Sequence, residues 1–366
     1  MNTAQTLRIP HESQLARVRR TVVDWFAAHA RDLPWRVEGT SAWGILVSEV
    51  MSQQTPMVRV APRWTEWMRR WPTPADLAGA SPAEVLLAWD SLGYPRRALR
   101  LRDTARAIAD DHDNAVPVGE AALRALPGVG DYTAAAVTAF AHRQPAAVLD
   151  VNIRRVLGRV FAGRSHPTPA PTRAERDWAA TLVPAEEHVE WNAGLMEFGA
   201  LVCTSRNPAC EECPLQAECR WFAAGRPVDA GRKPTTQAWH GTDRQLRGAI
   251  MAVLRAAGPP GADGSDAPAE AVAAAGANEA AGSDAATASE TAPAGAGQVS
   301  GVARALLTAG TADLDAEALA ALPDRVEAAV LRVRELGDSE RVDRLVRALV
   351  ADGLAAESGG VLHLPQ

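Results

Sequence analysis

All four cysteines of this 366-residue chain, Cys203, Cys210, Cys213 and Cys219, fall within a stretch of seventeen residues. A run spaced C-x6-C-x2-C-x5-C constrains its surroundings more than any other feature, because four thiols this close must share a centre or pair with one another. One long loop and one tight turn suit the corners of a 4Fe-4S cube. Tetrahedral zinc is the competing centre, but its ligands usually come as two short-spaced pairs, and only Cys210 and Cys213 stand close here. Disulfides need an oxidising compartment. The first twenty residues lack the apolar core of a secretory signal and no apolar run is long enough to cross a bilayer, so the expected location is cytoplasmic.

A net charge of -6 looks unsuited to a polyanionic partner, but the charge is unevenly spread. Residues 1 to 242 hold 28 Lys+Arg against 26 Asp+Glu, whereas residues 243 to 366 hold 10 against 18. The first two-thirds can therefore carry a basic face. Nearly all of that charge is arginine, Lys233 being the only lysine.

From Leu15 to Leu157 apolar residues recur at helical spacing between short Pro/Gly breaks such as LPW, WPTP, LGYP and LPGVG. This predicts a compact all-α region, with a further helical stretch from Arg173 to Cys203 leading into the cysteine loop. Residues 258 to 300 lack aromatics, basic residues and large aliphatics, and a disordered insert is expected there. On either side, Asp243 to Ala257 forms an amphipathic helix pattern, and 302 to 366 suggests two or three helices and a hairpin turning at Ser358-Gly359-Gly360. The expected organisation is a catalytic region over 1–240 and a winged-helix-like module from 241–257 and 301–366. Within the first, a six-helix lobe is placed at about 32–148 and a cluster lobe at 12–31 and 149–222.

LPGVG at 126 to 130 lies between two helical patterns, GEAALRA and DYTAAAVTAF, with Gly128 and Gly130 where a tight interhelical turn needs positive φ and close backbone approach. Exposed amides in such a turn can hold a DNA phosphate, although helix corners with glycine are common. LPWR at 33–36, SEVMSQQT at 48–55, LGYPRRALRL at 92–101, LPGVGDYTA, LDVNIRRVLGR and the cysteine run follow in order. Together, over about residues 13 to 235, they resemble the helix-hairpin-helix DNA glycosylases that carry a 4Fe-4S cluster, and within these the MutY family of A/G-specific adenine glycosylases.

The resemblance implies a two-lobed all-α fold with one 4Fe-4S cluster, acting as a monomer at the nucleoid on double-stranded DNA that contains adenine opposite 8-oxoguanine or guanine. It gives Glu49 the protonation of the adenine ring at N7 and the later handling of the incoming water, and Asp150 the stabilisation of the cationic sugar or a transient bond to it, a division of labour like that of two-carboxylate glycosidases. It gives Asn152 the placing of Asp150 and a water. Tyr132 stands where endonuclease III has its Schiff-base lysine, so hydrolysis without strand cleavage is expected. Trp35 and Arg36 resemble adenine-pocket residues. Gln53 and Gln54 would reach the gap left by the extruded base, and Tyr94 would lie beside the opposite 8-oxoguanine.

Outside those motifs the residues read more blandly. Arg96, Arg97, Arg100, Arg102 and Arg106 form either a solvated helix face or a phosphate contact. The cluster loop is expected to bring Arg206 and Arg220 to DNA. Ser52, Pro95 and Ala193 depart from residues common in the family, and residues 243 to 366 do not resemble its usual nudix-like recognition domain. Two alternatives stand beside this reading: an endonuclease III-like lyase, and a non-catalytic iron-sulfur DNA-binding regulator.

Overall fold

The computed structural model describes residues 7–228, 239–258, 301–308 and 316–366. The first helices are α1 (Glu12–His29), α2 (Ala42–Ser52), α3 (Met57–Arg70), α4 (Pro74–Gly79), α5 (Pro82–Trp89), α6 (Arg96–Asp111), α7 (Glu120–Ala125) and α8 (Asp131–Phe140). Then come α9 (Val151–Ala162), α10 (Arg173–Leu182), α11 (His188–Leu201), α12 (Arg220–Ala223) and α13 (Asp243–Ala256). The chain continues as β1 (Val302–Ala303), α14 (Arg304–Thr308), α15 (Ala316–Ala320), α16 (Asp324–Leu336), α17 (Ser339–Ala351), β2 (Ala356–Ser358) and β3 (Val361–His363). The expected helical stretch from Arg173 to Cys203 is two helices, because Pro184 and the left-handed Glu187 end one and start the next.

Contacts divide the chain into two compact units, residues 1–80 with 97–237 and residues 81–96 with 238–366. The first unit therefore excludes α5 and the LGYP turn, which stand with the C-terminal segment. The insert expected over 258–300 lies, from residue 259 on, outside the described residues.

Local sequence sets the helix starts of the first unit. Thr73 and Asp76 close a capping box ahead of α4, and Ser41 caps α2 by accepting from the Gly44 amide. Helix α2 is buried on every side from Trp43 to Met51, nine of its eleven residues, so it forms the middle of its lobe. Around α9 and α11 a second core gathers Val18, Val22, Val156, Phe161, Leu195 and Phe198. Two glycines let these helices close up. A Cβ at Gly194 would lie 2.8 Å from Val22 Cγ1, and one at Gly199 would lie 2.7 Å from Asn152 Cβ. The second contact brings α11 against the first turn of α9.

In the second unit α13 packs on α16 and α17, and the three strands pair antiparallel in the order β1-β3-β2, with Val302 and Glu357 both opposite Leu362. The hairpin forms where expected: Gly359 and Gly360 both have positive φ, as a two-residue primed turn needs. Strand β1 was not anticipated, since two residues carry no readable alternation. Three helices of more than a dozen residues followed by a hairpin give the winged-helix order. No described helix is long and apolar enough to cross a membrane.

Candidate active site and cluster loop

Glu49 sits in the last turns of the buried α2, and its Oε2 accepts a hydrogen bond of 2.6 Å from the Tyr132 hydroxyl on α8. Burial pushes the Glu49 carboxyl up to about 7; the Tyr132 bond and Arg36 pull it down, and the charge of Asp150 adds to the rise. Burial and then the Glu49 charge drive the Tyr132 phenol well above its usual range, so it stays a donor. A carboxyl poised near neutrality, beside a phenol that keeps its proton, can give a proton and take one back.

Asp150 is the N-cap of α9. Its Oδ1 accepts from the Ile153 amide at 2.6 Å and its Oδ2 from Asn152 Nδ2 at 2.9 Å. Burial pushes the Asp150 carboxyl above the usual carboxylate pKa range, while those donors and Arg155 oppose the rise. The ties continue inward. Arg155 Nη2 donates to Asn152 Oδ1 at 2.7 Å and to the Gly199 carbonyl at 2.6 Å, and its Nε donates to the Cys203 carbonyl at 2.7 Å. One guanidinium thus joins the residue that holds Asp150 to the first cysteine of the loop.

One turn on, Arg159 is almost fully buried. It donates to the Ser165, Thr204 and Ser205 carbonyls and to Cys203 Sγ at 3.3 Å, and lies 4.3 Å above the Trp221 ring. All four cysteines line a single cavity with Arg159, Phe198, Leu215 and Trp221. Cys213 is pushed up to about 11 by burial, against a backbone amide, with the other three thiols adding to the rise. Four sulfurs close enough to repel one another, ringed by apolar walls and one guanidinium, fit a cationic metal-sulfur core. No three His, Cys, Asp or Glu side chains among the described residues draw together as for a single ion. Arg206 and Arg220 are both exposed.

The other anticipated residues divide. Arg36 does not hang free: its Nη2 donates to Glu197 Oε2 at 3.0 Å and it lies over the Phe26 ring, while Arg31 binds the same carboxylate at 2.7 and 2.9 Å. Burial alone would raise Glu197, but the two arginines prevail and hold it down to about 2. Trp35 is buried edge-on against Trp64, a packing position. Gln53 caps the end of α2 and its Nε2 reaches Thr133 Oγ1 at 3.4 Å; Gln54 follows in left-handed conformation. Gly128 needs its positive φ of 78° and close packing, for a Cβ would lie 3.1 Å from Arg100 Cβ. Gly130 has φ -98°, so it serves as the N-cap of α8 without needing a left-handed turn. Tyr94, at φ 50°, belongs to the second unit and is 41% exposed.

Sequence reasoning missed Arg155, Arg159 and Glu197. The first two stand four apart on α9, one helical turn, which was a readable sign of a shared face. The arginine run at 96–106 is not a uniform solvated face either. Arg100 and Arg106 are exposed, but Arg97 Nη1 donates to the Val50 and Gln53 carbonyls at the end of α2, and Arg102 donates to the Ala80 carbonyl.

Family models match residues 47–180 as an HhH-GPD superfamily base excision DNA repair protein and residues 203–219 as the iron-sulfur binding domain of endonuclease III. The adenine DNA glycosylase of Mycobacterium tuberculosis is 51% identical over 234 residues, 64% of this chain and 77% of that one. That of Mycolicibacterium smegmatis is 48% identical over 235 residues, 64% of this chain and 79% of that one. The solved structure of a thermostable thymine-DNA glycosylase matches with a TM-score of 0.55 at 29% identity, covering 58% of this chain and 98% of that one.

Proposed function

The chain belongs to the adenine DNA glycosylase family, and we propose that it removes adenine mispaired with 8-oxoguanine or guanine, using Glu49 and Asp150 as its two working carboxylates. It is a base-excision repair hydrolase of N-glycosyl bonds that holds one 4Fe-4S cluster on Cys203, Cys210, Cys213 and Cys219. The reaction separates a sugar that gains positive charge from a base that gains negative charge, so each side needs its own partner.

Glu49, protonated in a large share of molecules near pH 7, gives its proton to N7 of the extruded adenine and so turns the base into a neutral leaving group. Tyr132 keeps the carboxylate that remains from drifting, through the bond at 2.6 Å, and Glu49 then takes a proton from the incoming water. Asp150 presents its charge to the oxocarbenium-like sugar, with Asn152 fixing the plane of the carboxylate. Gln53 and Gln54 fill the gap in the duplex and Tyr94 meets the opposite base. Gly128 and Gly130 offer backbone amides to a phosphate. Arg36 acts on the pocket through its field on Glu49, and Trp35 as its packed wall. Acting as a monomer at the nucleoid is part of the same reading.

The observation that carries the proposal is the Tyr132–Glu49 bond. It fills with a hydroxyl the position from which a lysine would attack the sugar, and it sits on a carboxyl that burial brings to about 7. Single-turnover assays on duplexes with A opposite 8-oxoguanine, A opposite G, A opposite T, and thymine glycol opposite A test it. Fast adenine release from the first, slower from the second and none from the last two is expected, with no borohydride-trapped adduct. Release of thymine glycol with trapping would make the lyase alternative correct.

A further inference from the structure

Helix α13 carries Arg244, Arg247 and Arg255, three and eleven residues along from the first, which places them on one side of the helix. All three are engaged with the segment 90–96 or with the residue that anchors its end. Arg255 Nε lies 3.8 Å from Asp90 Oδ1, at the start of the segment. The Arg244 guanidinium stands 4.8 Å from the Tyr94 ring centre and 5.3 Å from that of Trp239, so an arginine lies against two aromatic rings, each more than 40% exposed. Arg247 donates to Asp352 Oδ2 at 2.7 Å while Arg96, at the end of the segment, donates to Oδ1 of the same carboxylate at 3.3 Å.

The segment needs such holding. Asp90, Gly93 and Tyr94 all have positive φ, at 45°, 85° and 50°, and two of these are conformations that side chains disfavour. Just ahead of the segment Trp89 Nε1 donates to the Gly93 carbonyl at 3.0 Å, α13 supplies fixed points at Asp90 and Tyr94, and Asp352, itself bound by Arg247, supplies one at Arg96. The module's other arginines have different work: Arg341 and Arg344 bind Asp243, and Arg304 binds Asp343 and Glu357.

We propose that the arginine stripe of α13, with Arg244 at its centre, is a positioning device for Tyr94, and that the C-terminal module thereby sets how strongly the enzyme prefers 8-oxoguanine over guanine opposite the excised adenine. It rests on Tyr94 meeting the opposite base. Arg244 touches no reacting atom. A cation held over an aromatic face fixes the ring plane without a directional bond, and a left-handed tyrosine released from it has other rotamers and backbone states to visit.

The test uses the full chain and the ratio of single-turnover rates on A opposite 8-oxoguanine and A opposite G. Arg244→Ala should lower that ratio by roughly three- to tenfold, the scale of a lost cation–π contact, and Arg244→Lys should recover most of it. Tyr94→Ala should lower it at least as far, and the double variant should be no worse than Tyr94→Ala alone, since Arg244 acts through Tyr94. Amide hydrogen exchange over residues 90–96 should quicken in Arg244→Ala. Should that variant fail to fold, Asp352→Asn, which releases Arg96 and Arg247 together, takes its place in the same measurements. An unchanged ratio in Arg244→Ala beside a lowered one in Tyr94→Ala overturns the proposal, as do additive losses. A silent Tyr94→Ala overturns the reading of Tyr94 and the proposal with it; which single variant is silent tells the two failures apart.

Discussion

Arginines in the two units are put to different work. In the first, Arg97, Arg155 and Arg159 point inward and spend their donors on backbone carbonyls that no helix or strand satisfies, at the end of α2 and around the cysteine loop. In the second, Arg96, Arg247, Arg304, Arg341 and Arg344 are matched by Asp243, Asp343, Asp352 and Glu357. The first pattern shapes loops; the second cancels charge. Residues 243 to 366, with 10 Lys+Arg against 18 Asp+Glu, thus combine a winged-helix order with arginines already engaged. A winged helix that grips phosphates needs the reverse balance.

The largest effect that sharpens this contrast is chemical. Glu49→Gln and Asp150→Asn should each lower single-turnover adenine release by about 10²- to 10⁴-fold while duplex binding, followed by fluorescence anisotropy, is kept. Asparagine still caps α9, so Asp150→Asn should also keep its melting temperature.

Next comes Arg155→Gln. Removing a buried guanidinium leaves the Cys203 and Gly199 carbonyls and Asn152 without their donor, a cost of roughly 3 kcal/mol, and should lower both iron content and excision rate. Normal values of both would show that the inward arginines are replaceable packing.

A smaller change follows from geometry. Gly199→Ala puts a methyl 2.7 Å from Asn152 Cβ and should destabilise by about 1–3 kcal/mol, with a rate loss beyond that of Arg206→Ala. In pH, excision should fall as pH rises through about 7, because Glu49 loses the proton it donates. The sign for stability is the same: its folded value lies above the ordinary 4.5, so its contribution is whole below 4.5 and lost as pH passes about 7. Glu49→Gln should flatten that slope in a melting series.

The smallest effect breaks the comparison if it is wrong. Arg344→Ala and Arg347→Ala on α17 should change stability within about 0.5 kcal/mol and leave the salt dependence of DNA binding alone. Arg206→Ala and Arg220→Ala should each reduce that dependence by about one counterion. Equal slopes in the two sets would mean that the acidic unit also grips DNA.

What the sequence revealed and hid follows the same divide. The cysteine run and the hairpin glycines were legible because each is tied to a local pattern, ligand spacing and positive φ, whereas Glu49 and Asp150 stood out only through the family motifs that contain them. Arg155 and Arg159 were not, since an arginine in a helix reads as surface until the carbonyls it serves are placed around it by a loop some fifty residues on. Gly130 was assigned a left-handed need that Gly128 alone has. That Ser81–Arg96 would keep company with α13 was hidden too, because the contacts span 150 residues and more, and no local rule ties LGYP to a distant arginine stripe.

Asp150 opens α9, and helix ends are where local fraying begins. A carboxylate mounted there would ordinarily lose its aim well below the melting point of the protein. Here the frayable end is stitched: Asn152 holds one oxygen, the Ile153 amide the other, and Arg155 fastens Asn152 to α11 and the cysteine loop. Heat should therefore silence the enzyme and release its iron in a single step, and cutting the Arg155 stitch should split that step in two, with activity failing first.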